Sequence, residues 1–108
     1  MHLASQQCQG KAELLAPDVI LHYIKNIDKN WQLSNDNSRI ERTFKFKNYY
    51  ETIAFVNVVA MIAHQQNHHP EMMINYNNCT VQYSTHSLGG LSQYDFICAA
   101  KIDTILPI

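Results

Sequence analysis

Three of the six histidines lie between Asn67 and His86, two of them adjacent. The stretch reads Asn67-His68-His69-Pro70-Glu71, then Tyr76-Asn77-Asn78, then Ser84-Thr85-His86. Histidine has an ordinary pKa of about 6.5, so it can give or take a proton near neutrality. The cluster admits three readings. Adjacent histidines in a loop can be plain polar surface. His64 and His68, four apart, could join His69 and His86 around a metal ion. That arrangement has no H-E-x-x-H pattern and no cysteine at ligand spacing, and Pro70 disturbs helical presentation of two ligands. The third reading is metal-free general acid–base catalysis by two or three imidazoles.

The elements that would position these residues follow from periodicity. Pro17 and Asp18 suit a helix start, and Val19, Ile20, Tyr23, Ile24 and Ile27 continue at helical spacing, predicting a helix over 17–27. Trp31-Gln32-Leu33 is a short strand, followed by the turn formers Ser34 to Ser38. From Arg39 to Lys47, Ile40, Phe44 and Phe46 fall on one parity, the period of a half-buried strand. Arg42 breaks that parity. It is read as lying near a sheet edge with its head group reaching water, the alternative being a polar site.

Asn48 and Glu51 resemble a capping box. Phe55, Val58, Val59, Ile62 and Gln66 then mark a long helix over 49–66. His69 precedes proline and is pushed away from helical geometry, so the helix stops at or before it. Met72 to Tyr76 and Cys79 to Thr85 read as a hairpin turning at Asn77-Asn78, with Val81, Tyr83 and Thr85 on one face and Gln82, Ser84 and His86 on the other. Ser92 to Asp95 is a second capping-box-like start, for a last helix ending before Pro107. The order is helix, hairpin, long helix, hairpin, helix. The expected fold is α+β, a four-stranded antiparallel sheet with three helices on one face. Residues 1–11 are polar and unpatterned and read as a loose lead-in to a single domain over 12–108.

A net charge of −1 and the lack of a long basic run argue against a broad nucleic-acid footprint. No apolar run approaches the roughly 20 residues of a membrane span. The start has neither the basic nor the apolar part of a signal peptide, so a cytoplasmic location is expected. Cys8, Cys79 and Cys98 are odd in number and widely spaced, which points to free thiols in a reducing compartment, each read as a small buried or neutral residue.

Taken together, His68-His69-Pro70-Glu71, Tyr76-Asn77, Ser84-Thr85-His86, Gly90-Leu91-Ser92, Asp95, Ala99 and Ile102-Asp103 resemble the pterin-4a-carbinolamine dehydratase family. Arg42-x-Phe44-x-Phe46 and the Trp31 strand fit it too, and the resemblance spans about residues 12–105. It implies the fold read above, assembled as dimers or tetramers. It implies dehydration of a 4a-hydroxy-tetrahydropterin across C4a and N5, giving quinonoid dihydropterin, with no metal or organic cofactor. The reaction would serve tetrahydrobiopterin recycling beside an aromatic amino acid hydroxylase. Carried over residue by residue, His68, His69 and His86 form the catalytic trio, with His68 and His86 as proton donors and His69 as base and pterin contact. Asn67, Ser84, Thr85 and Ser87 would line the pterin. Asp95 would orient a histidine or the pterin edge, or would simply cap its helix. Two positions depart from the family pattern. Met72 stands where a tryptophan is common, and His64 where an acidic residue is frequent. Animal members of the family also bind a homeodomain transcription factor, so a non-catalytic interaction module is the alternative. The intact histidine set, which such a module does not need, favours the enzyme.

Overall fold

A computed structural model describes residues 1–106, so Pro107 and the end of the expected domain lie outside the described residues. Three α-helices and four strands follow in the order α1 (Pro17–Ile24), β1 (Gln32–Leu33), β2 (Ile40–Lys45), α2 (Tyr49–Gln66), β3 (Glu71–Ile74), β4 (Asn78–Tyr83) and α3 (Gln93–Asp103). All strand pairings are antiparallel, in the order β1-β2-β4-β3. This is the α+β fold expected from the hydrophobic pattern.

Alternation decides the layers. Ile40 and Phe44 of β2 and Cys79, Val81 and Tyr83 of β4 are buried against Phe55 and Val59 of α2 and Phe96, Ile97 and Ile102 of α3. Phe55 sits between two rings of β2, with centroids 4.6 Å from Phe44 and 5.0 Å from Phe46. Each such side chain contributes about 1.5–3 kcal/mol by leaving water. The opposite sheet face is polar, and there the Thr43 and Thr80 hydroxyls meet across β2 and β4 at 2.8 Å. β3 is an edge strand, with Met73 and Ile74 exposed along it and Tyr76 exposed in the turn that follows.

Several element ends differ from the sequence reading, each for a local reason. α1 stops at Ile24 rather than Ile27. The Asn26 side-chain amide donates to the His22 carbonyl at 2.8 Å and its backbone N–H turns to Tyr23, which closes the helix. The second hairpin turns at Tyr76-Asn77, one residue earlier than read, where Asn75 N–H meets the Asn78 carbonyl at 2.9 Å. β4 ends at Tyr83. Thr85 then makes a single bridge to Gly90, and between them His86–Leu88 form a 3-10 turn closed by Gly89 at φ 67°. At the start of α2, Asn48 accepts the Glu51 N–H at 2.9 Å, but Glu51 reaches back to the Lys47 N–H instead of the cap residue.

The N-terminal segment is not the loose lead-in its composition suggested. Leu3 is buried in the core. Lys101 donates to the Ala4 carbonyl at 2.8 Å, Cys8 N–H donates to Gln66 Oε1 at 2.7 Å, and the Tyr94 hydroxyl donates to the Gly10 carbonyl. The physical cause is α3. Phe96, Ile97, Cys98, Ala99 and Ile102 are apolar around most of its circumference, and residues 3–8 cover a flank that sheet and helices leave open.

Arg42 is a second correction. β1 pairs only with Ile40 and Glu41, so Arg42 does lie beside a bare flank of β2. Its side chain is only 13% exposed, and its head group is held by partners rather than free in water. The guanidinium lies 4.4 Å from the Phe44 ring centroid, donates to Asp103 Oδ1 at 2.7 Å and sits 3.6 Å from Asp28. Trp31 Nε1–H also donates to Asp103, at 2.9 Å. Burial raises the Asp103 pKa above its ordinary value, and the bonds from Trp31 and Arg42 pull it part of the way back. Arg42→Ala therefore strands a carboxylate at the junction of β1, β2 and α3. The expected cost is about 2–3 kcal/mol at neutral pH. It shrinks as pH falls through the raised Asp103 pKa, because a neutral carboxyl needs no guanidinium. Denaturation midpoints measured at neutral and acid pH check this. A loss that did not depend on pH would assign it to packing alone.

Candidate active site

α2 delivers the histidine pair by a specific device. Asn67 takes the left-handed conformation, φ 51°, just past the helix. Its N–H bonds to His64 O, and the His68 N–H bonds to Ala63 O at 3.0 Å. These two reversed bonds form a Schellman closure, in which asparagine is one of the few side chains tolerated. The helix thus ends at Asn67, three residues before Pro70, and the asparagine rather than the proline sets the exit angle.

That exit sends the two histidines in different directions. His68 turns inward. Its Nε2 lies 2.6 Å from Asp95 Oδ1, its ring stacks on Tyr83 at 5.3 Å and 14°, and the Tyr94 ring meets it edge-on at 5.8 Å. The Tyr83 hydroxyl donates to the His68 carbonyl at 3.3 Å. Asp95 is fully buried at the first turn of α3. Besides His68 it accepts the Thr85 hydroxyl at 2.8 Å and the Ser92 N–H at 2.9 Å. The Ser92 and Thr85 hydroxyls are 2.6 Å apart. Asp95 therefore combines both readings of its sequence position, as helix cap and as the group that orients a histidine. With Asp95 as acceptor, His68 Nε2 carries the hydrogen and Nδ1 is the free nitrogen of the neutral ring.

His69 turns outward and is exposed. It lines a cleft of about 110 Å³ with Arg39, Glu71, Gln82, Tyr83, Ser84 and His86. The cleft opens on the polar face of the sheet, where Gln82 donates to Glu41 at 2.7 Å. Of the residues singled out from sequence, His69, Ser84 and His86 come together here. His68, Thr85 and Asp95 form the network behind them. Asn67 is the helix cap, and Ser87 is exposed in the 3-10 turn. Arg39, Glu71 and Gln82 were not singled out. Gln82 was legible, since it shares strand parity with Ser84 and His86, and Glu71 follows once it pairs with Gln82 across the hairpin. A larger cavity of about 480 Å³ lies beside Asn30, Gln32, Arg42 and Lys45 but holds no imidazole. Among the described residues, no cluster of three His, Cys, Asp or Glu side chains could hold a metal ion.

Two imidazoles and a carboxylate around an open cleft, on a sheet backed by helices, define a site equipped for proton transfer. The profile of the family described as pterin 4 alpha carbinolamine dehydratase matches residues 13–105, and the chain belongs to that family. A relative from Nitrosomonas eutropha is 52% identical over 99 residues, covering 92% of this chain and 86% of its own. One from Legionella pneumophila is 46% identical over 101 residues, covering 94% and 89%. Both carry the provisional name pterin-4-alpha-carbinolamine dehydratase. The crystal structure of a transcriptional coactivator/pterin dehydratase from Brucella melitensis superposes with a TM-score of 0.81 at 30% identity, covering 86% of this chain and 98% of that one. A pterin dehydratase-like RuBisCO assembly factor of the alpha-carboxysome shares the fold at a TM-score of 0.62 and 19% identity, over 72% and 90% of the two chains.

Proposed function

We propose that this protein dehydrates a 4a-hydroxy-tetrahydropterin to the quinonoid dihydropterin, by proton transfer between substrate and imidazoles. The observation that carries the reading is the convergence of His69 and His86 on one cleft, with Glu71 and Arg39 beside them. The reaction breaks the C4a–O bond and the N5–H bond. The departing oxygen needs a proton to leave as water, and N5 must give one up. One imidazole in its acid form and one in its basic form meet both needs, and no electron is exchanged with a cofactor.

In this reading the three histidines have different roles. His86, in the 3-10 turn, donates to the leaving oxygen. His69 accepts the N5 proton and contacts the pterin. His68, turned onto Asp95 and clamped by Tyr83 and Tyr94, acts as a positioning residue, so the donor role falls to His86 alone. A fixed His68 holds the backbone from which the His69 side chain projects at the cleft mouth. The polar groups of Gln82, Ser84 and Glu71 suit the amide and amino groups of a pterin ring. In cells the reaction would serve the recycling of tetrahydropterin after an aromatic ring hydroxylation.

The purified protein is expected to speed the loss of 4a-hydroxy-tetrahydropterin generated in situ, at the same rate with and without a strong chelator. Loss of activity on chelation would replace imidazole chemistry by a metal centre.

A further inference from the structure

Cys8 and Cys98 are ninety residues apart in sequence, yet their sulfurs lie 3.6 Å apart. Cys98 is fully buried on α3, three residues after Asp95, while Cys8 is half-buried in the N-terminal segment that lies along α3. We propose that these two thiols form a peroxide-responsive pair, with Cys8 as the attacking sulfur and Cys98 as the resolving one, whose disulfide ties the N-terminal segment to α3. This goes beyond the dehydration reading and does not depend on it.

Three observations support the assignment. The first is the short Sγ–Sγ distance, which needs only a small movement of Cys8, and Cys8 lies outside any helix or strand. The second is the way the segment is held. Cys8 N–H donates to Gln66 Oε1 at 2.7 Å, Gln66 Nε2 donates to Gln7 Oε1 at 2.8 Å, and Leu3 anchors the chain in the core, so the pairing of the two sulfurs is built into the fold. The third is electrostatic. The hydrogen bond from Cys98 lowers the Cys8 pKa below the ordinary thiol value, against the effect of burial, and His68 and Lys101 nearby lower it further. The same bond and burial hold Cys98 high, which keeps its proton. The thiolate therefore forms on the more accessible sulfur, the property that marks an oxidant-sensitive cysteine.

The chemistry balances with hydrogen peroxide as the oxidant. The Cys8 thiolate attacks one peroxide oxygen, the O–O bond breaks, and hydroxide leaves and is protonated to water. The product is a Cys8 sulfenic acid. Cys98 sulfur then attacks the Cys8 sulfur, the S–O bond breaks, and the Cys98 proton joins the departing hydroxide as a second water. Two thiols are oxidised and one peroxide is reduced to two waters. Dithiols reverse the bond by exchange.

Cys79 is an internal control. It is fully buried on β4, and burial alone pushes its thiol up to about 11. The test is peroxide treatment of the folded protein under non-reducing conditions, followed by thiol counting after denaturation and peptide mapping. The count is expected to fall from three free cysteines to one, with a Cys8–Cys98 link within one chain and Cys79 still a thiol. In the Cys98→Ser variant the oxidation stops at Cys8 sulfenic acid, which a dimedone probe captures, while the natural protein is captured far less. Three thiols surviving, links between chains only, or dimedone capture of the natural protein equal to that of Cys98→Ser would each overturn the proposal.

Discussion

Replacing His69 with alanine is expected to lower turnover by about 10²–10⁴-fold, the usual contribution of one positioned general base. The fold is expected to survive the change. His69 is exposed, on a connecting segment, and among the described residues its side chain makes no hydrogen bond that holds an element in place. Far-UV circular dichroism and the thermal midpoint should match those of the natural protein. Because His69 is also assigned contact with the pterin, KM should rise modestly, while most of the loss falls on kcat. His86→Ala should behave alike, since His86 is exposed in its 3-10 turn. A fully active His69→Ala protein would remove this side chain from the site.

Asp95→Ala has the largest expected effect on stability. The carboxylate is fully buried and accepts from the Thr85 hydroxyl, the Ser92 N–H and His68. Its removal leaves the Ser92 N–H and His68 facing a cavity and opens the cap of α3, while the Thr85 hydroxyl keeps the Ser92 hydroxyl as a partner. Each buried group left unpaired costs about 1–3 kcal/mol, and a lost cap about 1 kcal/mol. The two stranded donors and the cap sum to about 3–7 kcal/mol, a large part of the roughly 5–15 kcal/mol that holds a domain of this size. Activity should fall as well, since His68 loses the partner that orients it. Asp95→Asn separates the two effects. The amide can still accept from Ser92 and Thr85, but either of its atoms presented to His68 changes that bond. Stability should be partly restored while turnover stays low. If Asp95→Ala unfolded at the same denaturant midpoint as the natural protein, the inner network would carry no weight.

Most of the fold was legible in the chain because its signals are strong and local. The period of α2 and the Asn48 cap place that helix at Tyr49–Gln66, and alternation along β4 divides Val81 and Tyr83 from Gln82 and Ser84. What was not legible depends on contacts between distant segments. Nothing in residues 3–8 marks them as docked, because the partner surface is made by α3 and Gln66. The direction of each histidine was hidden for a different reason. His68 and His69 lie where neither helical nor strand periodicity assigns faces, and the left-handed turn at Asn67 that aims the exiting chain leaves no periodic mark in the sequence. Arg42 was misplaced because its partners come from separate elements, Asp103 lying 61 residues further on in α3 and Asp28 in the segment before β1.

The division of labour between an outward pair and an inward, clamped His68 rests on the claim that the cleft turns substrate over, rather than merely holding it. A 4a-hydroxy-tetrahydropterin is generated in a mixing experiment, and its decay is followed by absorbance with the protein at well below the substrate concentration. Decay faster than the spontaneous reaction is expected, with many substrate molecules consumed per chain and a rate proportional to protein. A decay no faster than the spontaneous one, or a burst of at most one molecule per chain, would contradict that claim and leave a binding module of the same fold.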